Sequence, residues 1–567
     1  MTGFALFVSA ALQLSAGPAP RADVRVPPPD SARLARSARS AQWSFEAFRR
    51  QHLPVGHGFS GPCDVRIGRY CYWRGEEEQP PDEAPEIARR RNELLRVLDS
   101  VSRQLPGDPW VAGQRVRYMA EAGRTDDALR FAATECRAAA AWCAALAGYA
   151  EHVAGRFQAA DSAYAIALAA MDPEERCRWL DISRIVDDAT ATRLRTLDCA
   201  ARATLTRRIL EIAAPLYSVS TTDLYTEHLA RVTRGQMAER AASPDGESWA
   251  DDQRDLTIRY GWSSWYSRSI PTTMSMDARP SITGHDRGKP YNFILPADAL
   301  GRIGHVTTAD WSLDDQRALT GYAPSYARSV HDLPSQVAIF RRGDSTLVVG
   351  AWDARRDTTL LGRELVAAIA LSGDSGARVL TRDTSAKAVG RIMGAGVVDS
   401  GLVSLELLAV ADRRAARVRM GLPPRTAGRI ALSSLLLYAP SGEPAYNIAA
   451  VKDSALASEI IPASRTAGVY WEAYGVRDGG EPVHYSLSVE QVGVSWARRA
   501  AERLHLADPT SALRLQWDEV VRPEQGVAGR GVRVDLSRLR GGRYVVTLEV
   551  SSVNDERASA GKEIVVR

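Results

Sequence analysis

The stretch Leu536-Ser-Arg-Leu539-Arg-Gly541-Gly-Arg-Tyr544-Val-Val546-Thr-Leu548-Glu-Val550 decides the class of the C-terminal half. A leucine and a turn glycine lead into a run in which Tyr544, Val546, Leu548 and Val550 alternate with Val545, Thr547 and Glu549. That two-residue period belongs to a strand with one face buried. Upstream, Tyr485, Leu487 and Val489 alternate with Ser486, Ser488 and Glu490 in the same way. From Asp332 onward such runs recur at 337–341, 346–352, 365–371 and 402–410. After a break at Pro423-Pro424 they continue at 435–438, 469–474, 483–489, 513–517, 532–536, 544–550 and 563–566. Short strands between Gly, Asp and Pro turns specify two β-sandwich domains, 331–425 and 426–567.

The leucine, turn glycine and Tyr544 opening a strand resemble the tyrosine corner of immunoglobulin-like and fibronectin-like domains. The resemblance implies that the Tyr544 hydroxyl ties the corner to the backbone, a structural role that says nothing about a ligand.

Working toward the N-terminus, residues 85–205 read differently: alanine, leucine and arginine recur at helical period, with Gly and Pro only at intervals. Two segments superimpose at a shift of 32 residues, Trp110 onto Trp142, Tyr118 onto Ala150 and 122–124 onto 154–156. Each Gly-Arg is followed by a second helix, 125–133 and 157–169. The pattern is similar to a tetratricopeptide repeat, whose unit is about 34 residues. Two copies are fewer than such arrays need, so flanking helices must cap them. An ordinary helical bundle with a chance self-match is the alternative. The segment 18–84, with Pro27-Pro28-Pro29, a Gly/Cys-rich stretch from His57 to Cys71 and a linker at 76–81, is expected to supply little core.

Met1 to Gly17 carries an apolar, uncharged run of signal-peptide length, with Ser15-Ala-Gly17 as the cleavage candidate, so residues 1–17 are read as an export signal. A frayed apolar terminus on a cytosolic protein is the rival reading. No later stretch reaches about 18 uninterrupted apolar residues, so no transmembrane span is expected. Six cysteines all lie before residue 200. In an exported chain an even count suggests disulfides, and nearest neighbours pair Cys63 with Cys71, Cys136 with Cys143 and Cys177 with Cys199. The second pairing requires a helix break, because seven helical residues separate Cα atoms by about 10 Å. Buried free thiols are the alternative. A metal site is disfavoured because no pair has CxxC spacing, and no cofactor is expected.

With 567 residues, 45% hydrophobic and 25% charged, the chain has room for about four domains, and disorder, collagen and a coiled-coil rod are excluded. The fold class is therefore multidomain α plus β. Seventy-two basic residues oppose 68 acidic ones, and only Lys289, Lys387, Lys452 and Lys562 are lysines. Arginine spread over every segment is not the concentrated basic face that nucleic acid requires, so no nucleic-acid partner is expected.

Between these halves lies a mixed segment, 206–330. It carries Ala214-Pro215-Leu216-Tyr217, then Asp223 and Glu227-His228-Leu-Ala-Arg231, then Trp249-Ala-Asp251-Asp252-Gln-Arg254-Asp-Leu256-Thr-Ile258-Arg259-Tyr260-Gly261. These motifs resemble the GWxTD domain family of exported bacterial proteins, as a divergent member in which Ser248, Asp251 and Trp262 depart from the naming pattern. The resemblance implies a periplasmic, envelope or secreted location and no established activity. Read physically, Leu256 and Ile258 alternate with Thr257 and Arg259 as a strand closed by Gly261, with Trp249 packing on the core and Asp252 pairing locally with Arg254. In the functional alternative, Trp262, Trp265 and Tyr266 form an exposed aromatic shelf that stacks on sugars or a peptide, with Asp252 and Arg254 as polar contacts.

No nucleophile elbow, zinc-helix, phosphate-loop or dinucleotide motif is present. Asp223 and Glu227 share a helix face, but His228 lies about 100° round from Glu227, so capping by the Ser220-Thr-Thr-Asp223 start is the better use. Arg342-Gly343-Asp344 reads as a hairpin turn. Two functions remain. One is a non-catalytic exported or envelope-associated protein presenting binding surfaces to another protein or a surface polymer. The other is an undescribed hydrolase with a site near His285, Asp286 and Asp252.

Overall fold

The computed structural model describes residues 29–56, 62–74, 81–269, 281–285, 288–373, 378–425, 430–462, 466–493, 513–552 and 556–567. The export signal read at 1–17, most of the linker at 76–81 and Asp286 lie outside them. The chain is α plus β, a helical N-terminal region followed by a multi-sheet β region.

The helices are α1 (Pro29–His52), α2 (Pro85–Gln104), α3 (Pro109–Glu121), α4 (Thr125–Arg130), α5 (Ala140–Val153), α6 (Phe157–Ala170), α7 (Pro173–Trp179), α8 (Asp188–Thr196), α9 (Cys199–Ile212), α10 (Asp223–Ala238), α11 (Asp251–Tyr260) and the one-turn α12 (Ala297–Leu300). Two small hairpins accompany them, β1 (Val65–Ile67) with β2 (Tyr70–Tyr72), and β3 (Trp265–Arg268) with β4 (Ile282–His285). The superimposable segments form the helix pairs α3/α4 and α5/α6, each reversing at a glycine in the left-handed region, Gly123 at φ 72° and Gly155 at φ 76°.

The expectation that 18–84 supplies little core is overturned. Ala38, Phe45 and Leu53 of this segment join the core formed by α2, α3 and α5, and Ile67 and Tyr72 pack on Tyr260 of α11. The buried face of α1 also carries Gln42, Glu46 and Arg49, each hydrogen-bonded to a residue from elsewhere in the chain, so its hydrophobic period is diluted.

All three disulfides pair nearest neighbours, with Cα separations of 5.2 Å for Cys63–Cys71, 5.9 Å for Cys136–Cys143 and 5.6 Å for Cys177–Cys199. The required helix break is present: Cys136 is extended at ψ 131°, and α5 starts only at Ala140.

The first β unit contains β5 (Ser329–Asp332), β6 (Ser335–Arg342), β7 (Ser345–Asp353), β8 (Leu365–Gly373), β9 (Arg378–Ala386), β10 (Val389–Gly396), β11 (Gly401–Ala409) and β12 (Arg414–Leu422). Sheets β10-β7-β6 and β5-β12-β11-β8-β9 face each other across a core that includes Val348, Trp352, Ile369 and Leu405. The second contains β13 (Ala431–Leu432), β14 (Leu436–Tyr438), β15 (Ile460–Ile461), β16 (Thr466–Tyr474), β17 (Glu481–Gln491), β18 (Leu513–Val521), β19 (Val527–Asp535), β20 (Gly542–Ser552) and β21 (Arg557–Val566). Here β16, flanked by β13, β14 and β19, faces the sheet β15-β21-β20-β17-β18 across Trp471, Tyr485 and Leu548. The Tyr544 hydroxyl donates to the Arg540 carbonyl at 2.8 Å, the corner that the sequence specified.

β17 alternates between buried and more exposed residues, whereas β7, β8 and β11 are buried almost throughout. The difference is coverage. The outer face of β6 and β7 packs through Phe340 and Val349 on Leu436 and Tyr470, and the outer face of the five-stranded sheet packs through Ala370 and Leu402 on Ile212, Tyr217 and Trp311. Arg342-Gly343-Asp344 is the β6–β7 turn, with Arg342 paired to the buried Glu472. Strands β9, β10 and β12 were not legible: β9 leaves Leu380 exposed and Val379 half-buried, and β12 buries Arg417 and Arg419 where a strand pattern calls for apolar side chains.

Those two arginines join the halves. Arg419 donates to the carbonyls of Ile212 at 3.0 Å, Ala214 at 2.9 Å and Pro215 at 3.3 Å, while Arg417 donates to Ala214 at 3.1 Å and Pro215 at 2.6 Å. Glu406 accepts from the backbone N–H groups of Tyr217 and Ser218 at 2.9 and 2.8 Å and pairs with Arg419 at 3.4 Å. Arg419→Ala leaves Glu406 and three carbonyls without this donor, so denaturant unfolding should show a loss of about 3 to 5 kcal/mol. A loss under about 1 kcal/mol would remove this cluster from the account of what joins the two halves.

Candidate functional site

The stretch from Asp251 to Tyr260 is helix α11, which corrects the strand reading. Gln253, Thr257 and Tyr260 are its buried residues, a 3.6-residue period that outweighs the short Leu256/Ile258 alternation, and Asp251 and Asp252 favour its N-terminus. Gly261, at φ 86°, ends it.

Helix α10 holds the acidic-His-x-x-Arg run as a buried structural knot. Glu227 accepts from Arg231 Nε at 2.8 Å and pairs with His152 Nε2 at 2.6 Å. Arg231 also donates to the carbonyls of Ile258, Arg259 and Gly321, at 3.1, 2.7 and 2.7 Å, satisfying the C-terminus of α11. His228 bonds the Trp179 carbonyl at 3.0 Å, and burial pulls its pKa down to about 4, so it is neutral at physiological pH. The expected cap differs: Thr222 is the N-cap and makes no side-chain cap bond, while Asp223, pushed up to about 7 by burial, accepts from the Tyr326 hydroxyl at 2.6 Å.

Where α10, α11 and the two small hairpins meet, they enclose a cavity of about 590 Å³. The disulfide-closed β1–β2 hairpin brings Tyr70, Tyr72 and Trp73 to its wall. Trp249 and Tyr260 come from the α11 segment, Trp262 from the chain leading into β3 and Tyr266 from β3 itself. Tyr72 stacks on Tyr260 with centroids 3.9 Å apart, and Trp262 lies 5.5 Å from Tyr149 of α5.

Arg117 and Arg234 add charge to this wall. Glu121 accepts from Arg117 at 3.0 Å, Arg234 at 3.0 Å and Arg49 at 2.7 Å. Burial alone would raise the Glu121 carboxyl; Arg49, Arg117 and Arg234 outweigh it and hold it well below the usual carboxylate range. Arg234 and Gln253 are each 7% exposed. Arg234 Nη1, Trp249 Nε1, Gln253 Oε1 and the Tyr70 hydroxyl are buried polar atoms without a protein hydrogen-bond partner, and all four belong to residues lining this one cavity.

Of the residues singled out from sequence, Trp262 and Tyr266 line the cavity, and both also pack against the core of the helical region. They are half-buried, as is Trp265, so no exposed shelf forms. Trp265 instead stacks on His285 at 3.7 Å with an interplanar angle of 7°. Trp249 is a half-buried wall residue beside Gly235 rather than a core anchor. Asp252 takes Arg69 through bonds of 2.8 and 3.0 Å, which hold its carboxyl below the usual range and fasten the β1–β2 hairpin to α11. Arg254 is a surface residue paired with Asp251 and Glu239, not with Asp252.

The described groups weighed for hydrolysis have other partners, and Asp286 lies outside the described residues. His285 bonds Ser267 at 2.8 Å, while Asp252 is committed to Arg69, and Glu227 to His152 and Arg231. Sequence reading missed Tyr70, Tyr72, Trp73, Arg117 and Arg234. The compact Tyr70-Cys-Tyr-Trp73 cluster was a visible signal for the first three; nothing local marks the two arginines.

No protein-family model and no curated protein matches this chain. Among solved structures it is similar to a tetra-tandem repeat in the extending region of a large adhesion protein, at 13% identity over 41% of this chain and 48% of that one, with a TM-score of 0.14. It is also similar to Salmonella alpha-2-macroglobulin reacted with methylamine, at 10% identity over 52% and 26%, TM-score 0.19, and to native Escherichia coli alpha-2-macroglobulin, at 10% over 41% and 16%, TM-score 0.17. The chain thus spans less than two thirds of each, and likenesses this weak say nothing about its function.

Glu121 yields a pH signature. Its folded-state pKa is below the ordinary 4.5, so its stabilisation is complete above that value and is lost as pH falls through the folded-state pKa. Glu121→Gln should therefore be less stable than wild type at pH 7 by about 3 kcal/mol, with the gap closing below about pH 4. Thermal unfolding across pH 3 to 8 checks this; a gap independent of pH contradicts it.

Proposed function

We propose that this chain is a non-catalytic, exported or envelope-associated protein that presents a binding site to another protein or a surface polymer. The observation that carries the reading is the cavity of about 590 Å³ lined by Tyr70, Tyr72, Trp73, Trp249, Trp262 and Tyr266. Three disulfides support an oxidising compartment, and among the described residues no helix is long and apolar enough to cross a membrane. In this reading α3 to α6 are tetratricopeptide-like, the sandwiches are immunoglobulin-like and the segment 206–330 is a divergent GWxTD module. The Gly123 and Gly155 turns, the Tyr544 corner and the Glu227–His228–Arg231 run support these assignments.

Two measurements test the reading. Fractionation of native cells should recover the chain outside the cytoplasm with its six cysteines protected from alkylation until reduction; a cytosolic chain with six reactive thiols would overturn export. Full-length protein incubated with envelope extract should retain material that Trp262→Ala releases, with neither variant converting it. Turnover of extract components without retention would favour a hydrolase instead.

A further inference from the structure

Independently of the cavity, we propose that strand β18 is an interface with a second copy of this chain, joined antiparallel about a two-fold axis at Gln516. β18 closes one side of the sheet β15-β21-β20-β17-β18, and among the described residues it pairs with β17 alone. The opposite edge of the sheet, β15, is only two residues long, which is one way a sheet avoids joining another. β18 has none of the usual guards. Its nine residues, Leu513–Val521, include no proline, glycine or lysine and keep an unbroken register against β17, so the N–H and C=O groups of its far side are a template for a further strand.

Pairing with β17 fixes the two faces of β18. Leu513, Leu515 and Trp517 stand opposite Val489, Leu487 and Tyr485 on the core side, while Arg514, Gln516 and Asp518 stand opposite Ser488, Ser486 and His484 on the outer side. The core is open at this edge: Leu515 is 36% exposed, and Trp517, stacked on Tyr485 at 5.0 Å, is half-buried. A two-fold axis normal to the sheet keeps core side beside core side, so the pairing must be centred on a residue. Centred on Gln516, Leu515 of each copy meets Trp517 of the other, and Arg514 of each meets Asp518 of the other. Centring on Leu515 sets Arg514 opposite Gln516, centring on Trp517 sets it opposite Val520, and centring on Asp518 sets like charges together. Charge complementarity therefore selects one register, and the same register extends the core. Within one chain Arg514 has Glu490 at 3.7 Å, Asp518 has His484 at 2.9 Å and Gln516 donates to Ser486 at 3.4 Å. All three residues are exposed, and a guanidinium or a carboxylate can serve a second chain while keeping these contacts. Glu519, opposite Leu513 in this register, stays paired with Arg530 at 2.8 Å.

A pairing this short lies at the small end of specific interfaces, so sedimentation velocity of the full-length protein should show a monomer passing to a dimer with a dissociation constant of about 10 to 100 µM. Leu515→Lys should weaken association about tenfold or more. Arg514→Asp and Asp518→Arg should each do the same, because the two-fold axis sets like charges opposite each other twice, and the double variant Arg514→Asp/Asp518→Arg should regain most of the loss. Gln516→Cys, on the axis, places two Cβ atoms about 5 Å apart and should link the copies by a disulfide in oxidised glutathione, whereas Asp30→Cys on the exposed start of α1 should not. Thermal unfolding of each variant confirms that it folds. A chain that stays monomeric to about 300 µM overturns the proposal, as would follow if another segment or a different protein takes this edge. A dimer indifferent to Leu515→Lys and to the charge exchange overturns it as well, since the contact then lies elsewhere. Neither result touches the reading of the cavity.

Discussion

The joint between Arg417, Arg419 and Glu406 of the five-stranded sheet and the Ala214-Pro215-Leu216-Tyr217 turn makes the helical and β halves one packed body. A proline turn between two helices leaves carbonyls facing inward with no helical partner. Two guanidinium groups fill that role, and Glu406 takes the N–H groups of Tyr217 and Ser218 on the other side. Arg419 also lies 3.6 Å over the Tyr217 ring. An outer sheet face that would otherwise need water is thereby closed, which is why β8 and β11 are buried on both faces.

The same device recurs beneath the cavity. Arg49, Arg117 and Arg234 converge on Glu121 from α1, α3 and α10, and Arg231 fastens the end of α11. A guanidinium presents five donors in a fixed plane and can tie several elements at once, whereas an ammonium cannot hold that geometry. The preponderance of arginine, which as composition argued against a nucleic-acid face, becomes in the folded chain a set of internal ties.

The cavity follows from these ties. Arg69 on Asp252 and the Cys63–Cys71 disulfide hold the β1–β2 hairpin against α11, and the ring of Tyr72 lies on that of Tyr260. Its walls therefore come from chain segments nearly two hundred residues apart, held together by an ion pair, a disulfide and a ring stack.

The sequence alone determined what local periodicity and pairing rules determine. Alternation marked the strands, the Gly-Arg spacing marked the helix pairs, neighbouring cysteines marked the disulfides, and Tyr544 marked its corner. Local pattern failed where polar groups are buried: α1 with Gln42, Glu46 and Arg49, and β12 with Arg417 and Arg419. It also failed over Asp251–Tyr260, where two alternating residues suggested a strand and the buried set 253, 257 and 260 made a helix. Tertiary structure alone decided the site. A buried arginine is stable only once its carboxylate and carbonyl partners arrive from distant segments, and an aromatic residue becomes core or wall only through what packs on its other face. Trp249 and Trp262, thirteen residues apart, were assigned to opposite roles by their local sequence and share one cavity because the chain between them folds as a helix with the β1–β2 hairpin against it.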